Sequence, residues 1–502
     1  MSKAQVLIKQ YLRENGPSCS SLVKDYLCKS GMSSEAAKKA ISRKGEGINV
    51  FTSISLPKRE GFLYLDKQYN SGIFWENLLK THIEKKSAYG LAISSLIARN
   101  GICSEYYFKA YSGSPIYPTQ KRLSHDFVIQ KLEAAKIIEL VMIPDLGRCI
   151  RIHRDANTIN YPTNKKYASD FTEGIIIDAV SDWLKKTGLA SFNAIKKRTL
   201  DDVPEFGAYK WDITAPSYIL PLRTYKDKSL QPGFVVADVF NGELDEDGIQ
   251  YFINKCKNMS SLKSTKPFLP ILLANRFTKN AYQLGRSEGY LLTTPEILFG
   301  DEIAKAFIGL TESMTNMAAI ASREPEKMIH VFNSLKKIEG VAHNLKGALF
   351  EMLSAHIVHK SEGAYIDIGN KVEDLSGNKA EIDVLAIQGN HSIKVIECKA
   401  KNPNTLINKS DIEKWTNDRI PLIYKWIKSQ ERFDSMEILF EYWTTSDYSE
   451  DSKKAISEYK PRKYGSSFRN GKQILDYAKK AKVPSIVDTL NEHFIKHPLS
   501  KI

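Results

Sequence analysis

The sequence has few cysteines and lacks the spacings of the common thiol and metal centres. Its six cysteines are scattered over 502 residues with no C-x-x-C pair, which excludes a zinc ribbon and a thioredoxin-type site. There is no H-E-x-x-H and no Walker A sequence, which argues against a zinc hydrolase and an NTP-driven motor. No apolar run approaches the roughly 18 residues of a membrane-spanning helix. We therefore expect a soluble protein of a reducing, prokaryotic cytosol, with no membrane partner.

Charge is abundant and unevenly distributed. The chain holds 72 Lys and Arg against 58 Asp and Glu, a net charge of +14. Residues 1–150 hold 22 basic against 13 acidic side chains, and residues 451–502 hold 12 against 5, whereas residues 151–450 hold 38 against 40. A basic head and a basic tail flank a nearly neutral centre, which favours a polyanionic partner, with nucleic acid first. A mildly basic composition is also common in soluble proteins that bind no polyanion.

The first 155 residues predict two helical units, 1–70 and 71–155, each ending in a hairpin. Helices followed by a two-stranded wing resemble winged-helix domains, in which a basic helix fits the major groove and the wing contacts phosphates. The candidate DNA-binding residues are Lys38, Lys39, Arg43, Lys44, Lys58, Arg59, Lys121 and Arg122. The alternative is that the two units make protein contacts or act as scaffold.

The most informative stretch is a predicted helix followed by a two-stranded hairpin. Glu351 lies beside the apolar stripe of the helix, Asp383 lies in the first strand, and Glu397 and Lys399 lie in the second. Because side chains alternate along a strand, Glu397 and Lys399 share one face. Two carboxylates on adjacent strands are costly in a sheet unless a cation neutralises them. Hard oxygen ligands suit Mg²⁺ or Mn²⁺, and Lys399 would orient or help deprotonate a water. The alternative is a salt-bridged sheet edge.

This succession resembles the PD-(D/E)XK nuclease superfamily, and Glu-Ile-Asp followed by Glu-Cys-Lys is similar to its Mrr-like restriction endonuclease branch. The resemblance covers about residues 340–460. It implies Asp383 and Glu397 as metal ligands with the backbone carbonyl of Cys398, Lys399 as the catalytic amine, and Glu351 as an auxiliary catalytic acid. Ile382 stands where the family often has Pro. Glu381 is expected at a sheet edge, in solvent.

The central region predicts a second α/β module. Asp212 precedes an apolar strand that carries Asp238 and Phe240, an order that resembles a diverged copy of the same fold. Asp238 would fall where Glu397 falls, and Phe240 where Lys399 falls, which puts catalysis there in doubt. The alternative is an unrelated α/β domain that binds a small ligand or a partner.

The sequence thus predicts a multidomain α+β and α/β chain. Its parts are winged helices at 1–70 and 71–155, a central α/β domain at 165–320 that resembles a degenerate nuclease, and an endonuclease domain at 325–502 with a basic helical tail. The tail would neutralise phosphates or form a solvated helical face over the sheet.

The predicted function is a Mg²⁺-dependent DNA endonuclease with a restriction-like role in defence. Its partner would be double-stranded DNA, and a homodimer or a larger complex would make a double-strand break. The alternatives are a DNA-binding regulator with a silent nuclease fold, or a nuclease subunit of a transposition or helicase complex.

Overall fold

The computed structural model describes most of the chain and divides it into two compact units. The described residues are 2–118, 122–143, 146–153, 163–199, 202–226, 229–262, 264–336, 338, 342–373, 378–402 and 405–495. Unit 1 comprises Met1–Pro162 and Trp183–Leu298, and unit 2 comprises Thr163–Asp182 and Phe299–Ile502. This division is coarser than the four modules expected from the sequence, whose boundaries stay predictions.

Unit 1 begins with a small helical module that carries a three-stranded sheet. Its elements are α1 Lys3–Asn15, β1 Ser18–Cys19, α2 Ser20–Lys29, α3 Ser34–Arg43, β2 Ile48–Phe51 and β3 Phe62–Leu65. The sheet order is β1-β3-β2, with antiparallel neighbours. Ser2 and Ser33 cap the first and third helices by accepting backbone N–H bonds. Ile8, Leu12 and Val23 are fully buried in the core of this module.

A second module repeats this plan. Its elements are α4 Gly72–Glu84, α5 Ala88–Ala98, β4 Ile102–Ser104, α6 Glu105–Tyr111, α7 His125–Ala134, β5 Ile138–Ile143 and β6 Gly147–Ile152. Its sheet order is β4-β6-β5, again with the last strand in the middle. The sequence does not predict β4 and α6, because three and seven residues are too short to show a period.

The central part of unit 1 is a five-stranded sheet with helices in its crossovers. A long helix, α8 Thr163–Lys186, precedes it in the chain, and the residues of this helix up to Asp182 belong to unit 2. The following elements are β7 Lys196–Lys197, β8 Glu205–Phe206, β9 Tyr209–Lys210, β10 Ile213–Ser217, β11 Thr224–Lys226, β12 Ser229–Gln231, β13 Gly233–Leu244, α9 Gln250–Ser260, β14 Phe268–Phe277, α10 Lys279–Ser287, β15 Leu291–Thr293 and α11 Pro295–Phe299. The sheet order is β7-β10-β13-β14-β15.

Unit 2 places a second five-stranded sheet after a group of helices. The helices are α12 Asp301–Thr315, α13 Met317–Arg323, α14 Pro325–Leu335 and α15 Ala342–Glu362. The following elements are β16 Tyr365–Glu373, β17 Lys379–Gln388, β18 Ser392–Lys399, α16 Lys409–Glu413, a π-helical turn Lys414–Arg419, α17 Ile420–Lys428, β19 Glu437–Thr444, α18 Glu450–Glu458, β20 Gly465–Arg469, α19 Gly471–Lys480 and α20 Pro484–Leu490. The sheet order is β16-β17-β18-β19-β20.

The two five-stranded sheets have the same topology. In each sheet the strands lie in chain order, the first two pairs are antiparallel and the last two pairs are parallel. An α-helix lies between the third and fourth strands of each sheet, as a parallel crossover requires. The third strand, β13 or β18, is therefore the position at which strand direction stops alternating.

The basic C-terminal segment, which the sequence predicts to be helical, also contains a strand. Gly465–Arg469 forms β20, which pairs parallel to β19 and completes the sheet of unit 2. All five residues are exposed or half-buried. Their burial therefore gives no two-residue alternation by which the sequence would reveal a strand.

The expected fold class, a multidomain mixture of helical and α/β parts, is confirmed. Within the described ranges, no helix combines the length and the apolar composition that crossing a bilayer requires.

Candidate active site

The central feature of unit 2 is a fork where β17 and β18 stop pairing. Val384 and Ile396 are the last paired residues at this end of the antiparallel ladder. Asp383 and Glu397 are the next residues on the two strands, so they face each other one position beyond the ladder. The strand register therefore brings two carboxylates together without help from any loop.

Asp383 is buried and tied to the opposite strand. Its Oδ2 atom accepts the backbone N–H of Cys398 at 2.6 Å. Burial, followed by the charge of Glu397, raises the pKa of Asp383 to about 8. The charged form of this carboxyl is therefore disfavoured unless a further cation compensates it.

Glu397 is held by one oxygen and leaves the other without a partner. Its side chain is 2% exposed. Oε1 lies 2.6 Å from Nζ of Lys399 and also accepts from Nη1 of Arg419. Oε2 is buried and has no hydrogen-bond partner among the described residues. A buried carboxylate oxygen without a donor is costly, and a cation between Asp383 and Glu397 would satisfy it.

Two cations balance the acids of the fork. Burial alone would lower the pKa of Lys399, but the charges of Glu397 and Asp383 outweigh burial and raise it. The same balance raises the pKa of Arg419. Lys399 is therefore an ammonium group at neutral pH, which can donate hydrogen bonds and carries a positive charge.

Two further acids come close to the fork. Burial, followed by the charges of Asp383 and Glu381, raises the pKa of Glu351 on α15 well above its ordinary value. Glu381 is half-buried and pairs with Lys371 of β16. At this position β17 is paired on the β16 side only, because its ladder with β18 ends at Val384. The structure thus brings Asp383, Glu397 and Lys399 together and places Glu351 within electrostatic reach of them.

Arg419 is the residue that sequence reasoning misses. It ends the π-helical turn Lys414–Arg419 between α16 and α17, a kind of turn often found at functional sites. No motif surrounds it, and its distance of 22 residues from Glu397 carries no period. No sequence pattern identifies Arg419, because its place beside Glu397 depends on the path of the crossover between β18 and β19.

The donor set fits a hard cation only in part. Across the described part of the chain, no three His, Cys, Asp or Glu side chains form a ready-made metal cluster. The fork instead offers two facing carboxylates and one unsatisfied oxygen, an oxygen-only set that suits Mg²⁺ or Mn²⁺ better than Zn²⁺. Cys398, whose carbonyl is a predicted ligand, lies on β18 between Glu397 and Lys399. That role stays a prediction.

The predicted DNA-binding residues lie in unit 1. Lys38, Lys39 and Arg43 are exposed on α3, and Lys44 is exposed at its C-terminal cap. Lys58 and Arg59 are exposed in the turn between β2 and β3. Arg122 is half-buried, with Nη2 3.5 Å from Oγ of Ser261 in the central part of unit 1, and Lys121 lies outside the described residues. The first six residues therefore offer an accessible basic surface on one module, and Arg122 does not.

Comparisons with known proteins do not assign this chain to a family. No protein-family model and no curated protein matches the chain. One similar solved structure is protein VC1899 from Vibrio cholerae, at 9% identity and a TM-score of 0.20 over 50% of this chain and 92% of the other. A second is the restriction endonuclease FokI bound to DNA, at 12% identity and a TM-score of 0.17 over 61% and 60%.

A third is a complex of McrB AAA+ hexamers with bound McrC from Thermococcus gammatolerans, at 11% identity and a TM-score of 0.18 over 75% and 90%. At TM-scores this low, none of the three likenesses carries an argument about the fold or the activity of this chain.

Proposed function

We propose that this chain is a metal-dependent nuclease that hydrolyses phosphodiester bonds of duplex DNA at the fork of unit 2. The observation that carries the proposal is the pair of facing carboxylates, Asp383 and Glu397, with the unsatisfied Oε2 of Glu397 beside the ammonium of Lys399. A purely structural salt bridge gives no reason for a buried carboxylate oxygen to lack a donor, since most buried polar atoms are hydrogen-bonded.

Each side chain of the fork has a distinct task in this proposal. Asp383 and Glu397 would hold Mg²⁺ or Mn²⁺, which when bound polarises a phosphodiester and acidifies water. Lys399 would give up its bond to Glu397 and donate to a phosphate oxygen or orient the attacking water. Glu351, whose pKa is raised well above its ordinary value by burial and by the charges of Asp383 and Glu381, would serve as the auxiliary acid.

The substrate follows from the basic surface of the first module. Exposed cations on α3 and on the turn after β2 would bind phosphates, which supplies affinity without sequence information. A basic head separate from the cleavage centre suits a restriction-like enzyme. One fork cuts one strand, so a double-strand break needs two copies of the chain or two successive nicks.

Supercoiled plasmid tests the proposal directly. With Mg²⁺ or Mn²⁺, the purified chain is expected to convert supercoiled plasmid into nicked and linear forms, and a chelator should stop the reaction until metal is restored. Unmethylated and methylated plasmid, run in parallel, report any dependence on base modification. Plasmid that stays intact with both metals would contradict the proposal.

The basic surface should determine how DNA binding responds to salt. Replacing Lys38, Lys39 and Arg43 by Ala is expected to flatten the plot of log affinity against log salt by about 0.9 for each phosphate that the protein no longer neutralises. Replacing the exposed Lys3, Arg13 and Lys29 of the same module by Ala removes equal charge away from α3 and is the matched control. Equal slopes for the two triple variants in fluorescence anisotropy would reject α3 as the DNA-contacting helix.

A further inference from the structure

The central sheet of unit 1 contains a second fork built in the same way as the first. Ile213 and Ala237 are the last paired residues of β10 and β13, so Asp212 and Asp238 face each other one position beyond. Val239 donates its N–H to Oδ2 of Asp212 at 2.8 Å. Cys398 makes the equivalent bond to Asp383 in unit 2.

The following helix also supplies a cation to this second fork. Nζ of Lys255 on α9 lies 2.7 Å from Oδ2 of Asp238, as Arg419 contacts Glu397 in unit 2. Strand order, register, backbone bond and helix cation thus agree between the two forks. Chance similarity of two five-stranded sheets would not reproduce all of these features.

The second fork differs from the first in what fills it. Phe240 stands two residues beyond Asp238, where unit 2 has Lys399. Nη1 of Arg198, which follows β7, lies 3.2 Å from Oδ1 of Asp212, so each acid has a cation of the protein beside it. Asp212 and Asp238 are both 0% exposed. Every carboxylate oxygen of Asp212 and Asp238 thus has a protein partner, whereas Oε2 of Glu397 in the first fork has none.

The second N-terminal module closes this fork. Tyr111, at the end of α6, donates its hydroxyl to Oδ1 of Asp212 at 2.7 Å and accepts from Nη1 of Arg198. Nζ of Lys255 also donates to the carbonyl of Ala110 at 2.9 Å. Residues of α6 therefore share the cations and the acids of the fork.

Two contacts around Tyr111 extend this closure. The guanidinium of Arg99, which caps α5, lies 3.4 Å from the ring centroid of Tyr111 and 4.8 Å from that of Phe240. Nδ2 of Asn254 on α9 donates to the carbonyl of Gly113 at 2.9 Å. Phe240, which stands where unit 2 has Lys399, thus packs against Arg99, and Tyr111 packs against the same guanidinium.

We infer that the central module is a copy of the catalytic fold whose metal fork has become a socket for the second N-terminal module, with Tyr111 as its plug. The acids that would bind a metal instead bind Lys255, Arg198 and the tyrosine hydroxyl. The socket fixes the second N-terminal module on the central sheet. The contacts of unit 1 carry the socket itself, whereas the description of the central module as a copy of a catalytic fold rests on the proposed function of unit 2.

Hydrogen exchange of the full chain tests the plug. Tyr111→Phe removes only the hydroxyl and keeps the packed ring, so the variant is expected to fold. Amide exchange in 105–113 is expected to accelerate about tenfold, because the variant lacks a hydrogen bond to a charged group, while exchange in 385–396 stays unchanged. Unchanged exchange in 105–113 would overturn the socket.

Charge replacement tests the cations of the socket. Lys255→Met leaves Asp238 buried without its ammonium and should lower the melting temperature by at least about 5 °C. Adding Asp238→Asn removes that uncompensated charge, so the double variant should recover at least half of the loss. A double variant that melts no higher than Lys255→Met would overturn the charge balance that defines the socket.

Metal binding tests the claim that protein cations replace the metal. A full chain carrying Asp383→Asn and Glu397→Gln is expected to show no Mn²⁺ binding in calorimetry. Mn²⁺ binding that persists in that chain and disappears on adding Asp238→Asn would overturn the inference. If the wild-type chain does not bind Mn²⁺, the proposed function is contradicted. The exchange result in 105–113 then decides alone whether the second N-terminal module closes the central fork.

Discussion

The Glu397→Gln chain is expected to lose metal-dependent cleavage of plasmid DNA by a factor of at least about 10² and to bind Mn²⁺ at least about tenfold more weakly. Glutamine keeps the shape of the side chain and removes the negative charge that a divalent cation needs. Its amide nitrogen would replace one carboxylate oxygen, so Oε2, the unsatisfied atom of the fork, is no longer an anionic ligand.

A matched control lies one position away on the neighbouring strand. Glu441 of β19 is 1% exposed and pairs in register with Ile396, next to Glu397. Its Oε2 accepts from Trp443 at 2.6 Å and from Arg469 at 3.1 Å, so its partners are protein groups. Glu441→Gln should lower the melting temperature and leave cleavage by the folded chain within about threefold of wild type. Equal cleavage by the Glu397→Gln chain and the wild type would remove Glu397 from the active site.

The fork of unit 2 could be predicted from sequence because its geometry is local. Glu397 and Lys399 lie two residues apart in one strand, so the alternation of strand side chains puts them on one face. The hairpin turn is short, so counting residues back from it along both strands places Asp383 opposite Glu397. Neither step needs knowledge of the rest of the chain.

The remaining parts of the two forks could not be predicted, because they arrive from distant elements. Arg419 reaches Glu397 across a crossover, and Tyr111 reaches Asp212 from a module 101 residues earlier in the chain. The sequence does suggest that Asp212 and Asp238 form a diverged copy of the first fork. It does not show that a tyrosine closes that copy, since loop-borne and helix-end residues follow no hydrophobic period.

Lys399 and Arg419 both contact Oε1 of Glu397. The proposed chemistry nevertheless predicts that replacing each of them changes the cleavage rate by a different amount. Lys399→Met is expected to reduce the cleavage rate by about 10² to 10³ without weakening Mn²⁺ binding. Its ammonium competes with a metal for the carboxylate of Glu397 in the resting fork, so its removal cannot cost metal affinity. Loss of both cleavage and Mn²⁺ affinity would assign Lys399 a structural role.

Arg419→Met is the matched comparison for that variant. The two side chains are similarly exposed, at 35% for Lys399 and 29% for Arg419, and both contact Oε1 of Glu397. Arg419 is anchored in a helical turn, so it can orient Glu397 but is less free than Lys399 to follow a reacting phosphate. Single-turnover cleavage by the Arg419→Met chain should therefore fall by no more than about tenfold, and Arg419→Lys should restore part of that loss. If the losses were reversed, Arg419 would be the cation that acts on the substrate and Lys399 the one that positions Glu397.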